Sequence, residues 1–218
     1  MLKLIETLKN IWTIDELKNR ILITLFFLII YRLADQVVLP GVDYNIISDA
    51  QIAGGGGLLG LLNAFTGGAF ANASVVALGI MPYISASIVV QLMGVALPYL
   101  QKLQKEGESG RKKITQITRW LTIAICVVQA PAYLYGLGAL GVPDSAFVLG
   151  KGPFFIIPSV IILVTGCIFA MWLGEKITDR GIGNGISLLI TVGIIASLPL
   201  SFTLSLIHIS EPTRLAEI

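Results

Sequence analysis

The chain has 218 residues, of which 55% are hydrophobic and 13% charged, with a formal net charge of +2 and a mean hydropathy of +0.85. A soluble domain carries about 25% charged residues and a disordered chain is poor in apolar ones, so both classes are excluded. A weak net charge without any Lys/Arg run interleaved with aromatics excludes direct nucleic-acid binding, which leaves an all-α integral membrane protein.

Gaps between charged residues define the spans, because a charge at mid-bilayer costs several kcal/mol and about 20 apolar residues are needed to cross. The first apolar run, Ile21 to Tyr31, is short and ends at Arg32 and Asp35. It predicts a span over about 20–39, with Arg32 and Asp35 snorkelling or pairing near the far interface. The other reading is a signal-peptide core behind Lys18 and Arg20, against which stands the missing small-x-small cleavage site. Next comes Gln51 to Ala73, with glycines at 54, 55, 56 and 57 and then a short apolar stretch. A four-glycine run holds no regular helix cheaply and the stretch is too short to cross. It reads either as a linker and a re-entrant short helix or as an interfacial helix on the outer surface.

Four long uncharged gaps follow, predicting spans at about 75–97, 118–139, 154–173 and 186–203 and making five in all. Pro82, Pro131 and Pro158 are expected to kink them, and Gln91 to make an interhelical hydrogen bond. The loop from Gln101 to Trp120 is basic around the turn-like Glu106 to Gly110. Gly181-Ile182-Gly183-Asn184-Gly185 resembles a phosphate cradle but joins two spans instead of opening a βαβ unit. It reads as a tight turn in which Asn184 or Ser187 caps the last helix. An N-terminus on the cytoplasmic side leaves only Arg32 and Lys151 outside, apart from Arg214 in the terminal stretch, and gathers the other lysines and arginines inside.

No catalytic constellation is present: the single histidine is His208, and no carboxylate pair lies inside a span. Metal ligands and cofactor motifs are equally lacking, and Cys126 and Cys167, 41 positions apart, fit core or lipid-facing residues. An enzyme is not expected, and buried ionisable groups for ion-coupled transport are missing too.

Asn63-Ala64-Phe65-Thr66-Gly67-Gly68-Ala69-Phe70, followed by Ala77-Leu78-Gly79-Ile80-Met81-Pro82-Tyr83-Ile84-Ser85-Ala86-Ser87-Ile88, resembles the plug and second helix of the SecY family. Lys105-Glu106-Gly107-Glu108 to Arg111-Lys112-Lys113-Ile114 resembles its next cytoplasmic loop, and Met171 to Ser187 its fourth-to-fifth helix connection. Tyr31-Arg32-Leu33 with Pro40-Gly41-Val42-Asp43 fits the exit of its first helix. The match covers about residues 1 to 200 in the family's order and spacing.

The resemblance implies the N-terminal half of a SecY-type channel over 1–204, with five spans and a short re-entrant plug helix at about 58–71. It implies passage of unfolded secretory polypeptides across, and of membrane proteins into, the inner (plasma) membrane. Carried over residue by residue, it puts Ile80, Ile84, Ile190 and Ile194 in an apolar pore ring. Leu58, Leu61, Leu62, Asn63, Phe65, Thr66, Gly67 and Gly68 fall in the plug. Lys105, Arg111, Lys112, Lys113, Lys176 and Arg180 face cytoplasmic partners. Those partners are SecA or the ribosome, with SecE and SecG as companion subunits, membrane lipids around them and no cofactor. The family pattern stops near Leu204, and 205–218 reads as a non-native tail resembling translated adapter sequence. A small-solute carrier and an inert half-channel are the rival readings.

Overall fold

A computed structural model describes residues 14–43, 46, 63, 66–137, 142–148, 150 and 152–196. The first helix, α1, is Asp15–Asp35, so it begins five residues before the expected span and ends four before it. Acidic residues Asp15 and Glu16 in its first turn and Arg32 in its last complement the helix dipole. Beyond it, between turns at 36 and at 40–41, two single bridges, Val38 to Ser74 and Val42 to Phe147, tie the exit of α1 to later segments.

Residues 66–80 form consecutive turns instead of the start of a span. Gly67, Gly68 and Gly79 adopt φ of +66°, +98° and +53°, and Ala73 a φ of +47°. A run broken by left-handed residues cannot propagate a right-handed helix. Helix α2, Met81–Ala96, therefore starts six residues later than expected, with Pro82 in its first turn. Pro82 thus opens the helix, where its missing N–H costs nothing, and does not kink it. Leu97, held extended by the following proline, turns the chain through 101° into α3, Pro98–Lys105. Gly107, at φ +70°, then starts α4, Glu108–Gly136.

Helix α5 is Pro153–Arg180 and α6 runs over Gly185–Ala196. Pro131 and Pro158 sit inside α4 and α5 as expected. Among the described residues, only α4 and α5 are single helices long and apolar enough to cross a membrane, and α2 with α3 passes as a bent pair. The protein is membrane-embedded and crosses more than once. Both α4 and α5 outrun their expected spans, to Glu108 and to Arg180, because hydropathy marks only the lipid-facing length of a helix. The remainder of the last span, 197–203, and the terminal stretch 205–218 lie outside the described residues.

Two buried clusters organise these helices. Leu39, Ala73, Leu78, Ala130, Tyr133, Leu134, Phe155 and Leu163 belong to one. Tyr31, Val76, Ile80, Ala170, Leu173, Ile177 and Leu189 belong to the other. The turn segment 66–80 feeds both, Ala73 and Leu78 to the first and Val76 and Ile80 to the second. The end of α4 meets the start of α5 in the first cluster, and Arg119 near the start of α4 pairs with Glu175 near the end of α5. Those two helices therefore run antiparallel.

Threonine hydroxyls inside the helices are satisfied locally, as a low-dielectric surround demands. Thr24, Thr118, Thr122, Thr165, Thr178 and Thr191 each donate to the carbonyl four residues back. Gln91 is exposed and donates to Ser87 Oγ at 3.2 Å within α2, so the expected interhelical bond is replaced by one within the helix. Cys126 and Cys167 are both buried, which selects core over lipid-facing. The glycine turn is a helix connection as expected: Asn184 Oδ1 accepts from Ile186 N at 3.1 Å and caps α6. Thr24 Oγ1 and Thr178 Oγ1 accept from Ile182 N and Gly185 N, fastening the same turn to α1 and α5.

Candidate functional site

The N-terminal end of α2 and the face of α6 converge on α1 around an apolar cavity of about 210 Å³, lined by Ile80, Ile84, Ile190, Tyr31, Thr66 and Gly79 among others. Ile80 caps α2 and its carbonyl accepts from Ile84 N at 3.1 Å, so the two side chains stand one turn apart. Ile190 enters from α6. Three of the four expected ring residues are thus brought together. Ile194, one turn further on and half-buried, is not among the lining residues.

Of the expected plug residues, Asn63, Thr66, Gly67 and Gly68 are described, and Leu58, Leu61, Leu62 and Phe65 lie outside the described residues. Asn63 organises the segment: its carbonyl accepts from Gly68 N at 3.0 Å and Thr66 Oγ1 at 3.1 Å, and its Oδ1 from Ala71 N at 2.9 Å. Thr66 Oγ1 in turn accepts from Phe70 N at 3.1 Å. Short polar side chains bonding their own backbone make such turns without helix or strand. Thr66 is buried and borders the cavity, so the segment closes one side of the space that the isoleucines enter.

Three residues hold the segment in place, of which the sequence singled out only Arg32, and that as a partner for Asp35. Tyr133 Oη of α4 donates to Phe70 O at 2.6 Å, and its ring lies tilted by 60° against that of Phe70 with centroids 4.9 Å apart. Arg32 Nη1 donates to Gly67 O at 3.4 Å, and Gly193 of α6 lies directly behind Gly67. None has a local sequence signal, since the contacts join positions 35 to 126 residues apart. Tyr133→Phe should lower stability by about 1–3 kcal/mol, since it deletes the donor and leaves the Phe70 carbonyl unsatisfied. Denaturant titration in detergent checks it, and an unchanged midpoint would show that this bond ties nothing down.

The basic residues collect at one end of the antiparallel α4–α5 pair. Lys105 ends α3, Arg111, Lys112 and Lys113 start α4, and Lys176 and Arg180 end α5. All are exposed except the half-buried Lys176. Lys113 pairs with Glu106 at 3.6 Å, and the Arg119 fork grips both oxygens of Glu175, Nε to Oε1 at 2.9 Å. Among the described residues no cluster of His, Cys, Asp or Glu fits a metal ion.

A sequence profile described as SecY matches residues 74–216. The protein translocase subunit SecY of Haemophilus influenzae is 46% identical over 184 residues, 84% of this chain and 41% of the relative. That of Escherichia coli K12 is 44% identical over 187 residues, 85% of this chain and 42% of the relative. The Rickettsia typhi protein is 42% identical over 202 residues, covering 93% and 46%. The chain therefore spans less than half the length of these relatives. Among solved structures, Sec61 in the canine ribosome–channel complex from the endoplasmic reticulum superposes with a TM-score of 0.56 at 20% identity, over 81% of this chain and 36% of that one. A structure described as a protein-conducting channel matches with the same figures. At that identity the likeness is one of fold.

Proposed function

The chain belongs to the SecY family, and from that premise we propose that it forms the N-terminal half of the central subunit of a protein-conducting channel in the inner membrane. Unfolded secretory polypeptides cross through it and membrane proteins enter the bilayer from it. The observation that carries this reading is the cavity in which Ile80, Ile84 and Ile190 face Thr66 of the glycine-rich segment.

An apolar constriction excludes ions by dewetting and yields around a passing chain, because it offers no fixed polar partner to grip. In this reading Ile80, Ile84, Ile190 and Ile194 form this half's share of the ring, and the segment around 58–71 is the plug that covers it. Five spans cross the membrane with the N-terminus cytoplasmic. Helices α2 and α4 form one wall of the lateral gate. The basic end of α3, α4 and α5 faces SecA or the ribosome, and SecE and SecG complete the complex.

The test is cross-linking in a full-length channel that carries this sequence, from photoreactive residues at Ile84 and Ile190 to an arrested secretory chain. Adducts at both positions are expected. Their absence from both would overturn the pore assignment.

A further inference from the structure

We propose that Arg32, held by Asp35 on α1, is the positioning residue that keeps the glycine-rich segment seated, clasping Gly67 against the backbone of α6 at Gly193. The proposal rests on reading that segment as the plug. Arg32 Nη1 reaches Asp35 Oδ2 at 2.9 Å and the Gly67 carbonyl at 3.4 Å, so one nitrogen bridges the carboxylate and the segment.

Asp35 is 1% exposed and Arg32 28%. The second carboxylate oxygen, Oδ1, has no hydrogen-bond partner among the described residues. An ion pair taken this far out of water gains little net stability, and a hydrophobic pair serves the core as well. What the pair does supply is direction: the buried carboxylate fixes the guanidinium, and the guanidinium points at Gly67.

Gly67 is shaped for that grip. Its φ is +66°, and a Cβ there would stand 2.5 Å from Arg32 Nη1 and 3.0 Å from Gly193 Cα. Arg32 therefore closes on Gly67 from α1 while Gly193, itself buried, backs it from α6. The clasp also borders the cavity, since Tyr31 precedes Arg32, Thr66 precedes Gly67, and both line it. A segment held from two helices beside the ring stays shut until those helices part, which couples plug release to movement between α1 and α6.

The experiment measures halide flux through resting full-length channels in vesicles. Arg32→Ala alone would bury an orphaned carboxylate, so the informative variant is the pair Arg32→Ala with Asp35→Ala, which removes both charges. Resting flux should rise roughly tenfold, as expected when one charge-assisted hydrogen bond is lost from the closed state. Translocation of a secretory chain and the amount of assembled channel should be unchanged. Adding the pair to a channel lacking residues 63–70 should raise flux no further than that deletion does alone, because a clasp acts only through what it holds.

A double variant that stays as tight as the wild type, while the deletion leaks, would overturn the clasp and leave the plug reading standing. Reduced assembly or additive leakage would overturn it as well, reducing the pair to a structural role. A deletion that does not leak would overturn the plug reading, and the clasp with it.

Discussion

Asparagine at both Ile84 and Ile190 should raise resting ion flux through the full-length channel about a hundredfold. The two side chains meet across the cavity from α2 and α6, with Ile80 beside them. In the pore reading, the barrier there is the cost of holding water and ions against an apolar wall. Each isoleucine contributes roughly 1.5–3 kcal/mol of apolar preference. Losing two removes about 3 kcal/mol even at the low end, which is a factor of about a hundred in rate. Both residues are half-buried and border open space, so the amides find water and the fold survives. Single-channel recording in planar bilayers checks this, with leucine at both positions as the apolar control. Equal resting conductance in the asparagine and leucine variants would mean that the cavity is not the barrier.

Gly166→Val should destabilise the protein by about 3 kcal/mol or more, toward the upper end of what overpacking costs. Gly166 lies inside α5 against the turn segment, where a Cβ would fall on the Val75 carbonyl oxygen and within 2.9 Å of its carbon. That backbone cannot withdraw cheaply, because Val75 N donates to Val37 O at 2.8 Å and neighbouring Ser74 is bridged to Val38. Small residues let elements in a membrane approach until backbones touch, and here the close approach is to a turn instead of a helix. Equilibrium unfolding in mixed micelles measures the loss. A variant as stable as the wild type would mean that α5 and the turn segment are not packed this closely in the membrane.

The two longest helices were legible because α4 and α5 carry long runs free of charge around Ala130 and Leu163, and both overlap most of the spans expected there. Their ends were not, since Glu108 and Arg180 extend a helix past the lipid, where polarity no longer argues against it. The start of α2 was hidden because Pro82 fits a kink and a first turn equally well, and the left-handed Gly79 that decides between them leaves no periodic trace. Asn184 was readable as a cap from its position alone, whereas Gln91 was not, since Ser87 one turn earlier satisfies it. For the site, apolar residues four apart are routine in spans, so Ile80, Ile84 and Ile190 stood out through family resemblance and not through pattern. Arg32, Tyr133 and Gly193 act on the turn segment from other helices, and no local window contains both partners.

The hydrogen bonds of Asn63 and Thr66 have a kinetic consequence. Those described above run between residues of the 63–71 stretch itself, so they do not depend on its staying in place. Departure then carries no refolding penalty, and return requires no conformational search. If this stretch is the plug we propose, it reseats as a preassembled body on the microsecond-to-millisecond scale of hinge motions. In that reading, the interval during which ions slip past after a polypeptide has cleared is governed by how fast the surrounding helices come together again.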